Sequence, residues 1–270
     1  MRRWLGRSAL CALLCGVLSS GLQAAPAPRD QLPYSAPKLT LIIDDVGQNL
    51  AEGRRVIALD GPVALAVLPD TPHAARLARL AHRAGKPVML HLPMAPATGP
   101  YSWSPGLDEA TLQSRLQAAL GRVPYAEGVN NHMGSRMTER SAPMHSLMQS
   151  LQRRHLFFVD SRTTPRTQAA AMAQQTQLAS LSRDIFLDDD PRPEAIARQF
   201  RSAIALAREQ GSVVMIGHPR PSTLRVLERE LPKLSAAGID WVGPKQMIAV
   251  RGNRAMPAHG RDGRYARPDS

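Results

Sequence analysis

Asp44 and Asp45 stand side by side where the apolar run Leu39-Thr40-Leu41-Ile42-Ile43 stops, and Gly47 follows two residues later. Two adjacent carboxylates repel each other and resist ionising together unless a cation or a basic partner offsets the charge. One of the pair can then serve as an oxygen ligand while the other stays free as a base. Imidazoles close two other apolar runs: His91 ends Val88-Met89-Leu90, and His132 ends Gly128-Val129-Asn130-Asn131. Asp45, His91 and His132 would offer one oxygen and two nitrogens, a set suited to zinc and acceptable to other first-row divalent metals, with positions left for water and substrate. Such an ion lowers the pKa of bound water to about 7 and polarises a carbonyl oxygen. Asp44 would take the proton from that water, and His218, after Val213-Val214-Met215-Ile216, would protonate a leaving amine or alkoxide. Arg162 would either hold Asp44 ionised or bind an anionic group on the substrate. A water, a metal, a base and an acid together describe hydrolysis of an amide or ester. Asn131, Asp160, Trp103 and Asp188 are further candidates for touching substrate or supporting the ligands, Trp103 because its loop, Tyr101 to Gly106, is long enough to overhang a site.

Each of these residues also has a plainer reading. Asp44-Asp45-Val46-Gly47 suits a turn with a helix cap, His91 suits a satisfied core position, and Asn-rich segments such as 130–134 commonly turn. What favours chemistry is convergence. His73, His82, His145 and His155 fall on helices or their ends, and His259 lies near the carboxyl terminus.

The elements that must position these groups are short buried strands alternating with amphipathic helices. Strands are expected near 39–43, 63–67, 88–92, 128–132, 156–159, 184–187, 213–216 and 239–242. Helices are expected over 49–59, from the Thr71-Pro72 cap to Gly85, from Asp108, over 141–154 and 167–175, from Pro193 to Gly211, and through Leu224, Leu227 and Leu231. Continuous Ile, Leu and Val runs imply strands covered on both faces, hence an α/β single domain whose mostly parallel sheet of seven to eight strands curls into a distorted (β/α) barrel. The polar residues sit at the carboxyl ends of those strands, where such folds place ligands.

Residues 1–25 read as a signal peptide: Arg2, Arg3 and Arg7, an apolar run from Ala9 to Leu18, then Ala24-Ala25. An uncleaved anchor is the alternative. Both cysteines, Cys11 and Cys15, lie inside this leader, so the exported chain would have no thiolate ligand or nucleophile. A Pro- and Ala-rich linker over 26–38 precedes the domain at 39–250, and 251–270 reads as a disordered basic tail. The 34 basic and 22 acidic residues leave a formal charge of +12, or +9 without the three leader arginines, and only four of the bases are lysine. No basic stripe is interleaved with aromatics, which argues against nucleic acid, and membrane contact is expected only through an uncleaved leader.

Five ordered blocks, Ile42-Ile43-Asp44-Asp45-Val46-Gly47, Leu90-His91-Leu92-Pro93-Met94, Gly128 to Ser135, Phe157 to Thr163 and Ile216-Gly217-His218-Pro219, resemble the divergent polysaccharide deacetylases, the bacterial YibQ-like group related to NodB. The resemblance implies a NodB-like barrel exported to the periplasm or beyond, with Asp44 as base, Asp45 and His91 as metal ligands, and His218 as the acid for the leaving group. NodB-type enzymes carry a second ligand histidine four residues after the first, where this chain has Ala95; His132 is the expected substitute. The leading expectation is a carbohydrate deacetylase-type hydrolase, using a divalent metal such as zinc on an envelope polysaccharide or peptidoglycan-type substrate. Its rival is a catalytically degenerate barrel that binds glycan or an envelope partner. A Mg²⁺-dependent phosphohydrolase is weaker, because nothing resembles a phosphate-cradling glycine loop.

Overall fold

The computed structural model describes residues 36–255. The leader, most of the linker and the tail from residue 256 lie outside the described residues. The strands are β1 (Lys38–Val46), β2 (Ala64–Val67), β3 (Val88–Met94), β4 (Gly128–Met133), β5 (Phe157–Asp160), β6 (Ser180–Ser182), β7 (Ile185–Phe186), β8 (Ser212–Gly217) and β9 (Asp240–Trp241). The helices are α1 (Leu50–Ala58), α2 (Ala74–Arg83), α3 (Glu109–Arg122), α4 (Ser141–Arg153), α5 (Ala169–Gln175), α6 (Pro193–Gln210), α7 (Pro221–Glu230) and α8 (Pro244–Ala255).

Successive strand residues face opposite ways, and that period sorts the core into two layers. Leu39, Leu41 and Ile43 of β1 pack with helix residues such as Val56, Leu77 and Leu227 between sheet and helices. Ile42 faces the other way and joins Ala64, Ala66, Met89, Val159, Val214 and Ile216 in a separate cluster within the curve of the sheet. Gly128 belongs to the inner side too: a Cβ there would come within 2.3 Å of the Phe157 ring, so the glycine makes room for it.

Eight strands run in the order β6-β5-β4-β3-β2-β1-β8-β7, and β9 pairs with the start of β1. The registered pairs are all parallel. The expected parallel α/β barrel is thus present as a half-barrel whose free edges are β6 and β7. Only Arg183 and Asp184 separate those two strands in sequence. The Arg183 N–H donates to Asp160 O at 3.0 Å on one side of the seam, and the Asp184 N–H donates to Val214 O at 2.9 Å on the other.

Three details depart from expectation for identifiable reasons. The hydroxyl of Thr71 donates to Leu68 O at 2.7 Å instead of capping a helix, so α2 begins at Ala74 and not at Pro72. β6 is a three-residue Ser-Leu-Ser strand whose polar ends hide it from any hydropathy pattern. α8 carries the chain past the expected domain end at 250. Met247 is buried in the inner cluster with Ile248 against it, and Arg251 is ion-paired with Asp184, so its charge is satisfied inside the fold.

Candidate metal centre and active site

At the carboxyl ends of the strands the inner side turns polar within a single layer. Two residues beyond Ile42 comes Asp44, two beyond Met89 comes His91, two beyond Val159 comes Ser161, and two beyond Ile216 comes His218. Asn130 and His132 follow Gly128 at the same spacing. Strand register completes the alignment, pairing His91 with Asn130 and Pro93 with His132 across β3 and β4.

Asp45 has the wrong parity to join them from a regular strand. It enters because the β1–β2 register shifts between Ile43 and Val46 and because Asp45 adopts φ 55, a left-handed conformation that Asp tolerates better than most residues. Gly47 at φ 133 completes the turn; a Cβ there would lie 2.0 Å from Thr71 Oγ1.

Three ligand atoms meet at this point. Asp45 Oδ1 lies 2.9 Å from His132 Nδ1 and 3.3 Å from His91 Nε2, and the two nitrogens are 3.2 Å apart. Tetrahedral zinc at roughly 2.0–2.2 Å from N and O ligands spaces them about 3.3–3.5 Å from one another, so the donor set fits a divalent cation with little adjustment. A second observation agrees: Asp45 Oδ1 is buried yet accepts no properly directed hydrogen bond despite the two nearby nitrogens. Among the described residues this is the group of metal-ligating side chains with that geometry.

Burial divides the site into a floor and a mouth. Asp44, His91 and Asn130 are buried. The side chains of Asp45, His132 and His218 keep 36%, 26% and 16% of their exposure, enough for a substrate to reach them. Burial raises the Asp44 pKa above the ordinary carboxylate range, against the pull of His91, His218 and the Asn130 amide. For Asp45 burial acts in the same direction but is outweighed by the nearby His132 and His91 imidazoles, which hold it well below that range. Burial opposes a charge on His91, yet Asp44 and Asp45 prevail and raise its pKa.

His218 sits across the mouth, its Nε2 3.8 Å from Asp45 Oδ2. Asp188, fully buried, fixes it from behind: Oδ1 is 2.9 Å from His218 Nδ1, and Oδ2 accepts from the His218 N–H at 2.8 Å and from the Thr223 hydroxyl at 2.7 Å. Burial opposes the His218 charge, but Asp188 outweighs it and raises the pKa. Asp188, expected to touch substrate or support the ligands, is thus placed against His218.

Other expected residues are placed differently. Asp160 is buried on the outward side of β5, where it accepts from the Arg162 N–H at 2.8 Å and the Thr167 hydroxyl at 3.0 Å; it holds a loop. The Arg162 guanidinium bears on Asp160, and Arg183 feels the charges of Asp160, Asp44 and Asp184. Arg183 is fixed by donating from Nε to Ser161 O at 2.7 Å and from Nη2 to Arg162 O at 3.0 Å. Trp103 does not overhang the site. Its backbone extends β3 through bonds to Pro93 and Ala95, and its ring is fully buried in the outer layer of the core. Asn131 accepts from the Ser161 N–H at 2.9 Å and donates to Met133 O at 2.7 Å, joining the ends of β4 and β5.

Sequence reasoning assigned no role to Asn130, Ser161 or Arg183. Strand parity points to the first two, since both lie an even number of residues from inward apolar neighbours. Arg183 has no comparable signal, because the seam it fills exists only in the folded sheet.

This combination defines a NodB-like parallel half-barrel with two imidazoles and a carboxylate at its carboxyl rim that could hold a cation. The sequence matches the model for divergent polysaccharide deacetylases over residues 41–248, and the chain belongs to that family. It is 42% identical over 201 residues to the uncharacterized protein YibQ of Escherichia coli (strain K12), a match covering 73% of this chain and 63% of that protein; the chain thus spans less than two thirds of that relative. An uncharacterized protein from Agrobacterium tumefaciens C58 superposes with a TM-score of 0.75 at 19% identity, covering 81% of this chain and 90% of that one. A mutant of the peptidoglycan deacetylase PdaC from Bacillus subtilis gives 0.52 at 12% identity, covering 82% and 95%. The two structural likenesses show the fold.

Proposed function

We propose that this protein is a metal-dependent hydrolase of the carbohydrate deacetylase type, removing an acyl group from an envelope glycan. The observation that carries the reading is the mutual spacing of Asp45 Oδ1, His91 Nε2 and His132 Nδ1, which fits a shared cation. A zinc or similar ion held there supplies Lewis acidity toward an acyl oxygen and lowers the pKa of water. Asp44, buried beside the ligands and with its pKa raised by that burial, is placed to accept a proton from the attacking water. His218, oriented by Asp188, delivers a proton to the departing nitrogen or oxygen.

Next to His132 a cavity of about 340 Å³ opens between Leu68, Asp70, Pro93 and Met133. It offers room for a sugar ring beside the reacting group. Membership in a polysaccharide deacetylase family and a fold shared with a peptidoglycan deacetylase support a glycan as substrate. We place the protein in the periplasm or outside the cell on the leader pattern of residues 1–25.

Acetate release from acetylated oligosaccharides and peptidoglycan fragments by the purified, zinc-loaded protein tests the proposal. Release that stops on chelation and returns with zinc is expected. Ala95, standing where related enzymes carry a second ligand histidine, favours the alternative of a glycan-binding barrel without turnover. Glycan binding with no acetate released at saturating zinc would establish that alternative.

A further inference from the structure

Asn130 makes hydrogen bonds that are directional enough to fix more than its own position. Its Nδ2 donates to Asp44 Oδ1 at 2.7 Å and to Ser161 Oγ at 3.2 Å, and its Oδ1 lies 2.8 Å from His91 Nδ1. The residue is fully buried, and both amide hydrogens and the amide oxygen are engaged.

The direction of this chain follows from what each group can do. An ionised Asp44 only accepts hydrogen bonds, so it must face the amide nitrogen. The amide oxygen then faces His91 and only accepts, so His91 Nδ1 must be the donor. A neutral His91 is thereby left with its bare lone pair on Nε2, the atom that points at Asp45 Oδ1 and His132 Nδ1. Turning the amide over would set its oxygen against the Asp44 carboxylate.

We infer that Asn130 is a positioning residue that sets the His91 tautomer. It transmits the acceptor character of Asp44 through one amide so that Nε2 is ready for a cation before any cation arrives. A single side chain on β4 thus aligns the proton acceptor on β1 with the ligand on β3. The inference rests on the reading of His91 as a ligand, and it adds that the ligand is preorganised by the base's own hydrogen-bond partner.

Nitrogen-15 correlation NMR of histidine-labelled, metal-free protein at alkaline pH, where the ring is neutral, tests this directly. His91 is expected to show a protonated, pyrrole-type Nδ1 and a pyridine-type Nε2 in the wild type. In Asn130→Ala the two tautomers should mix, and zinc affinity should fall about 10–100-fold, the usual cost of losing a partner that orients a ligand. Asp44→Asn leaves Asn130 in place but removes the acceptor-only partner that fixes its amide, so the His91 tautomers should mix there too, which provides a second test should the alanine variant not fold. A wild-type Nε2–H tautomer, an alanine variant with unchanged tautomer and zinc affinity, or an Asp44→Asn variant that keeps the Nδ1–H form alone would each overturn the inference. A wild-type Nδ1–H tautomer without acetate release from any glycan would remove the hydrolase reading and leave the role of Asn130 standing.

Discussion

The inner side of this half-barrel has two levels built on the same strands, two residues apart, with opposite chemistry. At the lower level Ile42, Met89, Val159 and Ile216 form an apolar cluster joined by Met247 of α8. At the upper level the same strands present Asp44, His91, Ser161 and His218, joined by Asn130 and His132. The lower level supplies rigidity: close-packed side chains fix where each strand ends and so where each polar group stands. The upper level relies on that rigidity, because its carboxylates and imidazoles are tolerable in a buried setting only while they face one another or a cation. Strand geometry can therefore place the site, but it works only if the change from apolar to polar comes at the same level on every strand.

Moving a charge down one level is the strongest way to break the comparison. Ile42→Asp places a carboxylate among apolar side chains with no partner, and urea unfolding should show a loss above about 4 kcal/mol or no folded protein. Asp44→Asn changes the upper level without moving charge into the lower one. Zinc binding should persist by calorimetry while turnover falls about 10²–10⁴-fold; retained turnover would remove Asp44 as the base. Asp160→Asn lies off the inner side, one residue short of Ser161. It should cost roughly 1–3 kcal/mol of stability through its loop hydrogen bonds and leave zinc affinity unchanged; a loss of zinc would show that Asp160 communicates with the site.

Much of this was legible in the chain. Asp44, Asp45, His91, His132 and His218 could be found because each interrupts or ends an apolar run, and such interruptions fall at the carboxyl ends of strands. Asp160 is a candidate because it ends a strand, and Trp103 because its loop is long enough to overhang a site. Parity separates Asp160 from Ser161, and counting from the inward Val159 would have made the distinction. Trp103 follows a different rule: its loop hydrogen-bonds onto β3 and continues the sheet, a non-local pairing that no local pattern announces. Arg183 carries no local signal for the same kind of reason. It lies at the seam between β6 and β7, which are adjacent in sequence but occupy opposite edges of the sheet, and it donates to Ser161 O.

The central claim is that Asp45, His91 and His132 share one cation. Zinc titration of the purified protein by calorimetry, with metal content measured by elemental analysis, tests it in the wild type and in Asp45→Ala, His91→Ala and His132→Ala. The account predicts one ion per chain in the wild type and its loss in each variant. A wild type that binds no ion at saturating zinc, or a His132→Ala variant that binds it undiminished, would contradict the account.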